Sequence, residues 1–330
     1  MGSAIASTAI VACGQEVFVA SVESDGASDV PSPGTESSAS PEGQALVSCE
    51  GSWGPAQEIY RSEVNEELTT IGLSADERTM VFVRSRFFDS GVEATLEIVN
   101  RMDRDAAFSD AQTLFAAPDV CPEGADKYVA NGISDDGSRV VFGCGTTMME
   151  ARLDGALSPR ESIRELFRYG ESETFAFDGD SSSFLATPAA WRGFGPVVVP
   201  SAFVSYQLGT DLEYEVGSVP AVLPDGYANF SAPALSSDRR RVMLAASQRM
   251  SNDPDRTVLV EGRRATLTTN SGEPAAFQDF REVDLAVARD LLGGAELSQD
   301  CRRLYMATQL RSPGERNTSS VVVFERLPGT

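Results

Sequence analysis

Histidine is absent from the 330 residues, and lysine occurs once, at Lys127. The first absence removes the commonest general base, the Ser–His and Cys–His dyads and the usual zinc ligand. Positive charge is also in short supply. Twenty-seven basic residues stand against 49 acidic ones, giving a formal net charge of −22 and an isoelectric point near 4.4. Such a surface repels phosphate backbones and anionic headgroups, so neither nucleic acid nor direct adsorption to an acidic membrane is expected. Recognisable catalytic signatures are missing as well. GESET at 170–174 has no histidine to pair with, and GGAE at 293–296 lacks the lysine and spacing of a phosphate loop. Asp178-Gly179-Asp180 offers too few ligands for calcium. No metal, no cofactor and no catalytic residue is assigned, and the chain is expected not to be an enzyme.

What is present is a 42% hydrophobic composition, enough for one large or two medium packed domains. The N-terminal stretch MGSAIASTAIVAC is small and apolar, far too short to span a bilayer, and no basic residue precedes its end. Ile10-Val11-Ala12-Cys13 resembles the lipobox of bacterial lipoproteins, in which the cysteine becomes lipidated. Residues 1–13 are therefore read as a signal remnant and Cys13 as a lipidation site. Residues 14–48 are read as a disordered tether, because serine, proline, glycine and acids leave almost nothing to bury. This layout implies a lipid anchor at the periplasmic or outer-membrane face of a bacterial envelope.

From residue 49 onward one unit recurs. LSADERTMVF at 73–82 returns as ISDDGSRVVF (133–142), FAFDGDSSSF (175–184), LSSDRRRVML (235–244) and LSQDCRRLYM (297–306). Aligned on Asp76, Asp136, Asp178, Asp238 and Asp300, an apolar residue enters, a polar turn reverses the chain and an alternating strand leaves. Aspartate suits the turn because its carboxylate accepts bonds from nearby backbone N–H groups. A second motif, aromatic then strand, appears as WGPAQEIY (53–60), FSDAQTLF (108–115) and FQDFREV (277–283). Each unit thus holds four strands, the pattern of a β-propeller blade. The count favours five blades, with six as the alternative. The strand at 53–60 has no three strands before it, and the last unit ends after three. It is expected to complete the C-terminal blade and close the ring.

The repeat resembles that of TolB-like, WD40-like β-propellers over residues 49–330. This resemblance implies an all-β scaffold presenting a face to a protein or cell-wall glycan partner, expected as a monomer. In such blades the A–B turns and C–D loops share one face. Cys301 and Cys49 then fall on that face and Cys121 and Cys144 on the other, so Cys49–Cys301 and Cys121–Cys144 are the expected disulfides, with four buried thiols as the alternative. The opposite, B–C face carries Arg86, Trp191, Arg192, Phe194, Arg249 and Arg311, either a rim for anions or glycans or a set of arginines paired to surface acids. The competing functional reading is a glycan-active hydrolase that uses paired carboxylates at the propeller mouth, which needs no histidine.

Overall fold

The protein is described here from a computed structural model. It describes Cys49 and residues 51–327, apart from residues 90, 122–127, 155–157, 170–173, 178–181, 189–201, 249–256, 286–289 and 311–317. All described residues belong to the compact unit Leu46–Thr330. Cys13, Asp178, Trp191, Arg192, Phe194, Arg249 and Arg311 lie outside the described residues.

The described strands form five antiparallel sheets of four, the blades of a β-propeller. Blade I runs β2 (Glu66–Leu73), β3 (Thr79–Phe88), β4 (Gly91–Asn100) and β5 (Gln112–Ala116). Blade II is β6 (Tyr128–Ile133), β7 (Arg139–Cys144), β8 (Thr147–Arg152) and β9 (Arg164–Arg168). Blade III is β10 (Thr174–Phe177), β11 (Ser183–Thr187), β12 (Ala202–Leu208) and β13 (Tyr214–Pro220). Blade IV is β14 (Tyr227–Leu235), β15 (Arg241–Gln248), β16 (Thr257–Arg263) and β17 (Gln278–Glu282). Blade V joins β18 (Asp290–Leu297), β19 (Arg303–Leu310) and β20 (Thr318–Glu325) to β1 (Gln57–Arg61), so the N-terminal strand does close the ring. It pairs four residues later than the sequence motif begins. Pro55 has no N–H to give, and Trp53 reaches Arg326 only as an isolated bridge.

The recurring Ser-x-Asp explains the A–B turns atom by atom. In blade I the Ser74 hydroxyl donates to Asp76 Oδ1 (2.7 Å), the Arg78 N–H donates to the same oxygen (3.0 Å), and the Thr79 N–H donates to Ser74 Oγ (3.0 Å). Ser134/Asp136, Ser236/Asp238 and Ser298/Asp300 repeat the arrangement. The Ser134 hydroxyl first, then the Ser138 N–H and hydroxyl, hold the Asp136 carboxyl down at about 2. The residue after each aspartate takes positive φ: Glu77 at 58°, Gly137 at 71°, Arg239 at 56° and Cys301 at 55°. In blade III the register differs from the sequence alignment. Phe177 pairs with Phe184 as Leu73 pairs with Met80, so Phe177, not Phe175, occupies the Leu73 position.

The second motif is a stacking partner. Where the third strand of a blade exits, an arginine N–H donates to the carbonyl of the residue two after the turn aspartate. These bonds run Arg101 to Arg78, Arg264 to Arg240 and Arg326 to Arg302, at 2.7–2.9 Å. The guanidinium then lies over the aromatic that opens the fourth strand: Arg101 on Phe108 (4.5 Å), Arg264 on Phe277 (4.5 Å) and Arg326 on Trp53 (4.2 Å). Blade II substitutes Leu153 and Ile163, both packed against its core. The core itself lies between blades, as where Leu68, Phe82 and Val99 of blade I pack with Tyr305, Val321 and Val323 of blade V.

Candidate functional site

Five first strands converge on the axis, and the residue just before each turn's apolar position is small in four of the five. Gly72, Gly132, Ala176 and Ala234 fill that position in blades I to IV, pairing with Val81, Val141, Leu185 and Met243. A Cβ placed on Gly72 would come within 2.6 Å of the Gly132 Cα, so nothing larger than glycine fits there. Blade V breaks the series with Glu296, paired with Tyr305.

Glu296 opens into an axial cavity of about 120 Å³ at the A–B face, to which all five blades contribute, with Asp135 at its edge. The other lining groups include Ser74, Phe177, Ser236, Ser237, Ser298 and Gln299. Neighbouring turns are tied together around this mouth: the Ala75 N–H donates to the Asp135 carbonyl (3.0 Å), and the Ser237 hydroxyl to the Gln299 carbonyl (2.8 Å). Asp135 is exposed and Glu296 half-buried. The Glu296 side chain makes no hydrogen bond or ion pair with another described residue. Desolvation pushes its carboxyl up to about 8, helped by the negative charge of Asp135.

A glutamate held up in this way makes the folded state bind more protons than the unfolded one between pH 4.5 and about 8. Its contribution is full below pH 4.5 and is lost as pH rises through that window. Denaturant unfolding at a series of pH values should show stability falling across the window, and Glu296→Gln should flatten the fall. An unchanged slope in the variant would remove Glu296 as its source.

A larger groove of about 370 Å³ runs between blades IV and V along Trp53, Glu261, Arg281, Glu282, Asp284 and Arg326. Two of its three acids are already engaged: Glu261 accepts from Arg241 (2.6 Å) and Glu282 from the Tyr227 hydroxyl (3.1 Å).

Of the sequence-predicted residues, the four expected cysteines form the two expected disulfides, Cys49–Cys301 and Cys121–Cys144. Asp76, Asp136, Asp238 and Asp300 act within their turns rather than in the cavity. On the B–C face, Arg86 donates to Glu66 (2.8 Å), inside a cluster where Arg84 also donates to Glu66 (2.7 Å), Glu97 (2.9 Å) and Tyr60 (2.5 Å). The cavity lies on the other face. Arg86 therefore does not line it, and Glu296 and Asp135, which do, were missed.

No protein-family model matches the chain, and no curated protein matches it by sequence, so the fold rather than the TolB-like resemblance is what stands. Solved structures of similar shape include a GH43_1 enzyme from Xanthomonas citri complexed with xylotriose, at 11% identity and a TM-score of 0.49 over 83% of this chain and 90% of that one. The catalytic domain of the Coprinopsis cinerea GH62 alpha-L-arabinofuranosidase is similar at 10% identity and 0.48 over 84% and 98%. The periplasmic gluconolactonase of Pseudomonas aeruginosa is similar at 13% and 0.41 over 79% and 74%. Likeness at these identities speaks to the fold alone. The expectation that the chain is not an enzyme is corrected: it rested on the missing histidine, and hydrolysis by paired carboxylates needs no imidazole.

Proposed function

We propose that the chain is a glycan-active hydrolase whose reaction centre is the axial cavity, with Glu296 as proton donor and Asp135 as the second carboxylate. The observation that carries this reading is Glu296 itself: the one acid in a ring of glycines and alanines, open to the cavity and raised to about 8. Two carboxyls whose environments differ this much suit an acid and a base partner. Glu296, protonated at neutral pH, gives its proton to the glycosidic oxygen as the C–O bond breaks. Asp135 takes a proton from the attacking water as its oxygen bonds to the sugar carbon, and exchange with solvent returns a proton to Glu296. The paired disulfides support an exported protein, in keeping with an envelope location and the lipidation read at Cys13.

The test is a panel of aryl furanosides and pyranosides. Release of the aryl group should be seen with at least one, falling above pH 8 as Glu296 loses its proton, and Glu296→Gln should lower kcat/KM by roughly 10²–10⁴-fold. A variant as active as the parent, or a parent inactive on every glycoside, would overturn the assignment.

A further inference from the structure

The groove between blades IV and V differs from the axial cavity in size and charge. Its volume of about 370 Å³ falls within the range of about 300–1,000 Å³ typical of small-molecule sites. Three acids line it, Glu261, Glu282 and Asp284, against three arginines, Arg263, Arg281 and Arg326. In a protein of net charge −22 this local balance favours neither a cation nor an anion as ligand.

The aromatic that opens the fourth strand makes the difference between the blades. In blade IV it is Phe277, fully buried beneath Arg264. In blade V it is Trp53, which rests on Arg326 at 4.2 Å yet stays half-buried and forms part of the groove wall. Gly51 brings the preceding chain close against Leu327, since a Cβ there would meet the Leu327 carbonyl oxygen at 2.5 Å. The Trp53 indole N–H makes no hydrogen bond with another described residue. An apolar ring with an uncommitted donor suits a surface that is dry on one side and wet on the other. From blade IV, Arg281 lies in β17 and Asp284 two residues beyond its end. Both are exposed, and neither is hydrogen-bonded or ion-paired through its side chain to a described residue.

We propose that this groove binds a neutral glycan, with one sugar ring laid on Trp53 and its hydroxyls held by Arg281 and Asp284. A sugar ring presents a C–H surface that packs on an aromatic, and a rim of hydroxyls that both donate and accept. The groove holds each complement: an indole, a guanidinium to donate and a carboxylate to accept. The site adjoins the axial cavity through the Cys49–Cys301 bond. Gln299 lines the cavity two residues before Cys301, and Gly51 lines the groove two residues after Cys49. The two cysteine Cα atoms are 5.2 Å apart, so Gln299 and Gly51 lie within about 20 Å of each other. The groove's role in holding the far end of a glycan whose near end enters the cavity rests on the hydrolase reading of the previous subsection. The binding of sugar at Trp53 does not.

Isothermal titration of the full chain with maltotriose, mannotriose, chitotriose and trigalacturonate tests the site without requiring hydrolysis. At least one of the three neutral trisaccharides should bind, and more tightly than trigalacturonate. Arg281→Ala and Asp284→Ala, at exposed positions, should keep the parent's Tm and weaken binding about tenfold. Trp53→Phe, which places in blade V the residue type of blades I and IV, should fold and bind several-fold more weakly. Trp53 and Trp191 are the two tryptophans of the chain, so in Trp191→Phe the emission of Trp53 alone should shift as the sugar is added. Adding Glu296→Gln should leave that shift and its midpoint unchanged, whether or not the parent hydrolyses any glycoside, which separates this site from the proposed reaction centre. No binding by any neutral trisaccharide, tightest binding of trigalacturonate, or parental affinity retained in the Trp53 and Arg281 variants would overturn the proposal.

Discussion

Cutting the Cys49–Cys301 link should lower the unfolding free energy by about 5 kcal/mol, the largest loss expected from any paired substitution of cysteines here. The two residues are 252 apart in sequence, so the bond removes a very large loop's freedom from the unfolded chain. It also acts where the ring closes, since Cys49 precedes β1, and Cys301 lies in the turn that leads into β19 of the same blade. The Cys121–Cys144 bond spans 23 residues, and its removal should cost nearer 3 kcal/mol on the same reasoning. Cys301 has φ of 55°, so Cys301→Gly with Cys49→Ala removes the cross-link without imposing a new Cβ on a left-handed backbone. Guanidinium unfolding of this variant against Cys121→Ala/Cys144→Ala gives the comparison. Equal losses, or a loss below about 1 kcal/mol at the ring closure, would show that the unfolded ensemble is already compact enough to make loop length irrelevant.

The parts of the fold that the sequence made legible are those with a local cause. A turn closed by Ser and Asp within six residues leaves its signature in any single copy, and the five copies of the repeat gave the blade count. Blade III was misaligned for a physical reason. Phe175 and Phe177 are both apolar, Asp178 and Asp180 both acidic, and a strand with period two looks the same after a slip of two residues. The stacking arginines were half visible. The aromatics Trp53, Phe108 and Phe277 announced a motif, but their partners sit at the far end of a preceding strand, where no local pattern marks them. Glu296 was present in GGAE and dismissed with it, because that tetrapeptide was weighed as a phosphate loop. Its signal lay in the column of the repeat, where Gly72, Gly132, Ala176 and Ala234 are followed by an acid. Corrected by two residues in blade III, that column points to the axis. Of the expected B–C rim, Arg86 is the described member and is held by Glu66; residue type alone does not distinguish an arginine awaiting a ligand from one already held.

Glu77→Ala should destabilise the propeller by roughly 3–5 kcal/mol, the cost of removing one partner from a buried charge cluster. Glu77 is 3% exposed. Its carboxylate meets Arg104 at 3.2 Å, Arg303 at 3.6 Å and Arg101 at 3.7 Å, and it accepts a 2.5 Å hydrogen bond from the Tyr305 hydroxyl. Burial, and then this bond to Glu77, push the Tyr305 phenol up to about 12, so it stays a donor throughout the working range. Arg303 and Tyr305 belong to blade V and the others to blade I, so the cluster joins the two blades at the ring's seam. Without the carboxylate three guanidiniums face one another, and only Asp300, Asp105 and Glu325 at the edge remain to offset them. Glycine at this position would relieve the 58° φ yet lose the same charge, so Glu77→Gly should fall well short of the parent as well. Denaturant midpoints for the two variants decide between backbone and charge. If Glu77→Gly matched the parent, relief of left-handed strain would outweigh the loss of the charge cluster. The expected order places the charge first, because the same turn position serves a different end in each described copy: a carboxylate between blades at Glu77, backbone freedom at Gly137, a guanidinium at Arg239 whose carbonyl holds Arg264, and a covalent staple at Cys301. A position that tolerates four such residues at φ near 60° is one where the side chain's contacts, and not the turn's own preference for glycine, decide what is kept.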